Sequence, residues 1–310
     1  MCFKKRSDLT IVATLLLVAA TGASGQGARP MSPSMRLDVD NDVFAVRSGL
    51  PTDFDYTQGA RLTISLPGAP TRLAHALGAS AQCSDSASAD RACVLTGFTI
   101  GQEIYTPRHN KPEPVAGDRP YAAVLFGATR IDRLGDASLN SLKITAGVTG
   151  PPALGEPLQN GMHRLLNNHL EVGWKHQIPT RLDVAADYDG TRLLAQSGQR
   201  APSRFIAINS GATIGSLRRE LRTGLSTYYS IGETHSRSAD APLVARPGTM
   251  HFVAGAQQSF VMYDALVEGV GVSPGAQRLP WVSDLYAGVG WRVGHFATEY
   301  RYVSHGREYP

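Results

Sequence analysis

Apolar and polar residues alternate with a period of two along most of this chain. Leu62, Ile64 and Leu66 are separated by Thr63 and Ser65, and Leu142, Ile144, Ala146 and Val148 by Lys143, Thr145 and Gly147. Leu221, Thr223, Leu225 and Tyr229 alternate with Arg222, Gly224 and Ser226, and Leu285, Ala287, Val289, Trp291 and Val293 with Tyr286, Gly288, Gly290 and Arg292. Successive side chains of a strand point to opposite faces, so the pattern predicts strands with one apolar and one polar side. Eleven are read: 35–47, 56–67, 94–105, 120–132, 138–148, 176–195, 204–214, 217–230, 249–268, 281–293 and 295–304. One segment, 156–169, breaks the period. There Leu158, Met162, Leu165, Leu166 and Leu170 follow helical spacing, Pro157 suits a first turn and Glu156 its positive end. Gln159, His163 and Asn167 recur every fourth residue and share one stripe of that predicted helix.

Composition narrows the setting. Lys4, Lys5 and Arg6, an apolar core from Ile11 to Ala20 and small residues at Ala23 and Gly25 read as a secretory leader over 1–25, leaving 26–310 as one domain. Cys2 precedes that core rather than following it, which argues against a lipoprotein anchor. Without the leader the net charge falls from +4 to about +2, so no basic face suggests a nucleic acid partner. Cys83 and Cys93 flank a Ser/Ala/Asp-rich insertion, and export to an oxidising compartment predicts a local disulfide that pins a turn. No later stretch approaches the roughly 18 apolar residues of a membrane helix, so membrane integration would require a closed barrel. Alternation alone fits a soluble sandwich equally well. The leader, the length and the Gly-rich, aromatic-ended strands favour an all-β, antiparallel transmembrane barrel, with loops 48–55, 106–119 and 149–175 on the external side.

Five blocks fall on or beside those loops: Asn41-Asp42, Asp55-Tyr56-Thr57-Gln58-Gly59, Gly101-Gln102-Glu103-Ile104-Tyr105-Thr106-Pro107, Asp118-Arg119-Pro120-Tyr121-Ala122 and Gln159-Asn160-Gly161-Met162-His163-Arg164. In this order, and over nearly the whole mature chain, they resemble the LpxR-type lipid A 3′-O-deacylases of the Gram-negative outer membrane. The resemblance implies a monomeric twelve-strand barrel with a short helix in an external loop. It also implies hydrolysis of the 3′-linked acyloxyacyl ester of lipid A, with a calcium ion polarising the ester and a histidine activating water, as in secreted phospholipases A2. His163 matches the catalytic histidine, and an imidazole titrating at about 6.5 can take a proton from water at neutral pH. Asp42 matches a metal carboxylate, Asn41 a donor to the developing oxyanion, and Thr57 a residue that orients water or substrate. Lys111, or Arg108 in its place, matches a cation for the lipid A phosphate. Neighbours on an ideal strand face opposite sides, so joint action of Asn41 and Asp42 requires the strand to end or bulge there.

Other features read as structural. Asp118-Arg119 is a salt-linked pair supporting the site, with Gln102 and Tyr105 behind it. Asp38 and Asp40 share the face of Asp42 and read alternatively as a solvated lumen. His109, His169 and His176 lack metal-ligand spacing. Gly271-Val272-Ser273-Pro274-Gly275 fits G-x-S-x-G formally, but Pro274 has no N–H for an oxyanion hole and no helix follows. The competing reading is a non-catalytic barrel, either a small pore or a structural protein. Glu308-Tyr309 matches the pair that precedes the family's last strand, and the sequence stops at Pro310. A gap or strained closure is therefore expected between 35–47 and 295–304, where each unsatisfied backbone group in lipid costs several kcal/mol.

Overall fold

In the computed structural model, which describes residues 8–18, 31–41, 55–83, 92–197, 203–231, 250–271, 274–293 and 296–310, the alternating segments form twelve antiparallel strands. They are β1 (Asp8–Val18), β2 (Ser34–Asn41), β3 (Asp55–Leu66), β4 (Cys93–Thr106), β5 (Ala122–Leu134), β6 (Ser138–Thr149), β7 (Leu182–Ser197), β8 (Ser203–Gly215), β9 (Arg218–Ile231), β10 (Met250–Asp264), β11 (Trp281–Val293) and β12 (Phe296–His305). Each pairs with its sequence neighbours, and β1 pairs with β12, so the sheet closes on itself.

The seam differs from the expected gap. β2 and β12 do not pair with each other; Asp8–Val18, read from composition as leader, lies between them, with Ile11 level with both Asn41 and Tyr302. The ladder is continuous, so the unpaired edges expected from an eleven-strand count do not occur among the described residues. The leader's alternation explains its fit. Asp8, Thr10 and Thr14 alternate with Leu9, Ile11, Ala13 and Leu15, a partial period-two pattern that Val12, Leu16 and Val18 interrupt and that the segment's overall apolarity hides.

Other boundaries moved for local reasons. The strand expected over 176–195 starts at Leu182, because Trp174–His176 form a 3-10 turn and Pro179 follows. The one expected over 249–268 ends at Asp264, whose side chain accepts the Leu266 N–H and caps the short helix α3 (Ala265–Glu268). A further helix, α1 (Thr71–Ala76), precedes the disulfide Cys83–Cys93, which packs with Met31, Leu95 and Leu134 at the end of the barrel opposite the candidate site. Positions 42–47 of the first expected strand lie outside the described residues.

The two faces of the wall are chemically distinct. Ile64, Phe98, Ile100, Ile144 and Leu225 are exposed on the outside, while Asp38, Asp40 and Glu220 are buried within. The acidic stripe is neutralised there rather than solvated. Arg36 donates to Asp38 at 2.9 Å, Arg61 bridges Asp40 and Glu103, Tyr56 donates to Asp40 at 2.9 Å and Tyr105 to Glu103 at 2.8 Å. At the external end Tyr105, Val124, Leu217, Leu266 and Val270 pack together across the mouth. Beside them the wholly buried Arg119 donates to Glu308 at 2.9 Å and to the Leu266 carbonyl at 3.1 Å, and Arg218 bonds both Glu308, at 2.7 Å, and Asp264, at 2.6 Å. Burial raises the Glu308 carboxyl, but the guanidiniums of Arg119 and Arg218 outweigh it and hold the group down at about 2.

Candidate active site on the outer wall

The site is built outside the barrel. Along β4, Phe98 and Ile100 are exposed while Glu103 and Tyr105 join the internal network, so alternation turns Gln102 and Ile104 outward. Against them stands the insertion between β6 and β7: a 3-10 turn (Pro151–Ala153) leads into helix α2 (Gly155–Leu165). Gln102 donates to the Ala153 carbonyl at 2.5 Å, and Ile104 packs with Tyr121, Ala123, Ala153 and Trp174. Gly155 permits this approach, since a Cβ there would lie 2.5 Å from the Trp174 ring and 2.6 Å from the Ala123 methyl.

α2 ends at Leu165 rather than 169, because Asn167 takes a left-handed φ of 53° and turns the chain away. Asn167 therefore leaves the stripe it was expected to share with Gln159 and His163. Those two remain together, 1% and 4% exposed, with Asn160 buried beside them, while Leu158, Met162 and Leu165 are exposed. This helix buries Gln159, Asn160 and His163 and exposes its large apolar residues, the reverse of a helix packed on an apolar core.

Each buried group is held. The His163 Nδ1 contacts the His169 carbonyl, which accepts only, so Nδ1 carries the proton and Nε2 the lone pair of the neutral ring. Gln159 Oε1 accepts from Trp174 Nε1 at 3.1 Å, whereas its Nε2 is buried without a hydrogen-bond partner among the described residues. Asn160 clamps the backbone of Glu171, accepting from its N–H at 2.8 Å and donating to its carbonyl at 3.0 Å. The Glu171 carboxylate accepts from the Tyr121 hydroxyl at 2.5 Å; burial and this carboxylate hold the phenol above its ordinary range.

The loop carrying Lys111 is tied to the same unit. Asn110 donates to the Leu170 carbonyl at 2.9 Å and accepts from the Val172 N–H at 3.0 Å, while Lys111 itself is exposed. Arg108, the alternative cation, is engaged elsewhere: it stacks 4.0 Å over the Tyr309 ring and donates to the Pro310 carbonyl. Asp118 anchors this loop, accepting from the N–H groups of Arg108 and His109 and from the Tyr309 hydroxyl. Burial raises its carboxyl, but those donors outweigh it and the net shift is downward. Instead of the expected salt-linked pair, Asp118 accepts from the Arg119 backbone N–H at 2.9 Å and both side chains bind the tail, Asp118 at Tyr309 and Arg119 at Glu308.

The strand register brings the remaining candidates to this height. Asn41 pairs with Gln58, Gln58 with Ile104, and Ile104 with Ala123, so one row runs from Asn41 to the wall beneath α2. β2 stays in regular register with β3 up to Asn41, and an end or bulge between Asn41 and Asp42 falls outside the described residues; the irregularity at this level is in β3, whose register with β4 shifts between Tyr56 and Gln58, at Thr57. Asp42 lies outside the described residues, as does Ser273 of the G-x-S-x-G segment. No group of three His, Cys, Asp or Glu suited to a metal occurs among the described residues. Sequence reasoning passed over Asn110, Asn160 and Glu171 as site-builders. Asn110 reaches 60 and 62 positions along the chain, Glu171 reaches back 50 to Tyr121, and the Asn160 clamp spans 11, so none leaves a local periodicity.

A family model described as outer membrane protein LpxR matches residues 9–310. Among solved structures, LpxR from Salmonella typhimurium is similar, with 18% identity, 95% of this chain and 99% of that chain covered, and a TM-score of 0.64. At that identity the likeness shows the fold. OmpT of Vibrio cholerae covers 98% of this chain and 99% of its own at 8% identity, but its TM-score of 0.28 carries no argument. No curated protein matches the chain.

Proposed function

Because this chain belongs to the outer membrane protein LpxR family, we propose that it is a lipid A 3′-O-deacylase of the Gram-negative outer membrane, hydrolysing the 3′-linked acyloxyacyl ester with water activated by His163. The observation that carries this reading is the buried polar face of α2, where His163 is fixed through Nδ1 with its basic nitrogen on Nε2. Nε2 takes a proton as water adds to the ester carbonyl carbon. The tetrahedral intermediate then breaks its bond to the sugar oxygen, and the imidazolium returns the proton to that leaving oxygen. The products are the acyloxyacyl acid and a sugar with a free 3′-hydroxyl.

The oxyanion formed in between requires donors already in place. Gln159 Nε2, buried and unpartnered among the described residues, is one, and Asn41, two strands away in the row that leads to the wall beneath α2, is a second. Thr57, in the bulge, orients the water, and Lys111 meets a phosphate as a point charge. The oxygen-bearing side chains of Asn41, Asp42 and Thr57 are hard ligands suited to calcium rather than to a thiolate- or imidazole-preferring metal. Held chiefly by Asp42, such an ion would polarise the ester carbonyl when bound. Nothing favours the pore reading, since the external mouth is packed with apolar side chains and ion pairs.

The test uses purified protein refolded in detergent with lipid A and calcium. Release of the acyloxyacyl acid by the wild type, its loss on chelation with recovery on calcium addition, and a fall of about 10²–10⁴-fold in His163→Ala are expected. Equal release by the variant and the wild type would overturn the assignment of His163.

A further inference from the structure

The exposed side of α2 is divided into two chemically unlike flanks. At 3.6 residues per turn, Leu158, Met162 and Leu165 fall within an arc of about 60°, while Arg164 lies roughly 130° from the centre of that arc, past the buried face. Leu165 is 76% exposed, and Leu158 and Met162 are about half exposed, so this apolar flank has no cover from the protein. Its height on the barrel identifies what meets it. Gln102, which carries the foot of the insertion, stands in one row with Leu125, Val148 and Leu182, and Leu182 is 83% exposed on the outer wall. Val184, two residues further along β7, is exposed as well. Ile104 and Ala123, on which α2 rests, are two residues from that row, a distance of about 7 Å at the rise of a strand. The apolar flank is therefore continuous with the apolar band of the wall.

We propose that α2 is an interfacial membrane-binding helix, its Leu158, Met162 and Leu165 flank immersed in the acyl chains of the outer leaflet and Arg164 at headgroup level. A helix with this division lies in the interface plane with its apolar side in the acyl boundary. Resting on the proposed deacylase reading, this depth sets His163 at the boundary between acyl chains and sugar, where an ester linking the two is found. The helix then presents the base to a lipid that need not leave the bilayer.

Single cysteines at 158, 162, 165 and 164, in a chain with Cys2→Ser and the Cys83–Cys93 disulfide intact, are spin-labelled and reconstituted into phosphatidylethanolamine/phosphatidylglycerol vesicles containing lipopolysaccharide. Heat-modifiable migration confirms that each variant is folded, and tryptophan with brominated-lipid quenching replaces the label at any position that fails. Labels at 158, 162 and 165 should collide with oxygen more than with a water-soluble nickel chelate, and the label at 164 should show the reverse. Aqueous accessibility at all four positions overturns the proposal, as does protection from both reagents accompanied by a dimeric mass, which would assign the flank to a second copy. The triple serine variant of Leu158, Met162 and Leu165 should lose at least tenfold in hydrolysis of vesicle-borne lipid while keeping its rate on detergent-dispersed lipid. Equal loss on both substrates contradicts the proposal. Immersed labels in a protein inactive on either substrate would sustain the membrane helix and overturn the deacylase reading alone.

Discussion

At the scale of single residues, Gln159 separates packing from chemistry. Its Oε1 holds Trp174 while its Nε2 is left unsatisfied, and a buried donor without a partner is costly unless something fills the site. Gln159→Glu keeps the acceptor and removes the donor. Hydrolysis should fall about 10²-fold with the folded fraction unchanged, as for loss of one oxyanion donor; a wild-type rate would show that Nε2 takes no part. Glu308 carries a pH signature. Its folded-state pKa of about 2 lies below the ordinary 4.5, so its contribution to stability is full above pH 4.5 and is lost as pH falls toward 2. Thermal unfolding followed between pH 6 and 2 should show an acid-sensitive component that Glu308→Gln removes, and identical pH profiles would contradict the pairing. His163 was legible as a candidate because it stands in a recognisable block. The clamp of Asn160 on Glu171 was not, because a bond to backbone depends on where a loop returns.

The central element is α2, whose existence was legible in the sequence while its extent was not, Gly155–Leu165 in place of 156–169. Pro157 and Glu156 marked its start, whereas the left-handed Asn167 that ends it looked like one more member of a four-residue repeat. Helical spacing of leucines indicates which residues share a side, yet it does not reveal whether that side meets protein or lipid. The tight seat at Gly155 offers a direct check. Gly155→Ala places a methyl against Trp174 and Ala123, an overpacking that typically costs about 1–3 kcal/mol. The helix should be displaced from the wall, with increased protease cleavage within 150–175 and reduced hydrolysis while the barrel still migrates as a compact species. Unaltered protease resistance and rate would mean that α2 does not depend on this contact.

For the whole molecule, eleven strands and their order followed from period-two alternation, and the twelfth, Asp8–Val18, which closes the sheet, did not. A segment rich enough in leucine to read as a leader also alternates well enough to occupy the place between β2 and β12. Closure matters because every backbone group in the wall must be paired. In refolding from denaturant, which bypasses export, the chain with Asp8–Val18 should reach the compact heat-modifiable form, and the chain without that segment should fold poorly or aggregate through its open edges. Equal folding would show that the seam closes in another way. Lipid A mass spectrometry on Gram-negative cells expressing the wild type or His163→Ala tests the central claim most directly. Wild-type cells should show a lipid A species lighter by one acyloxyacyl group that is missing from the variant, whereas unchanged lipid A in both, or the same loss in both, would contradict the account.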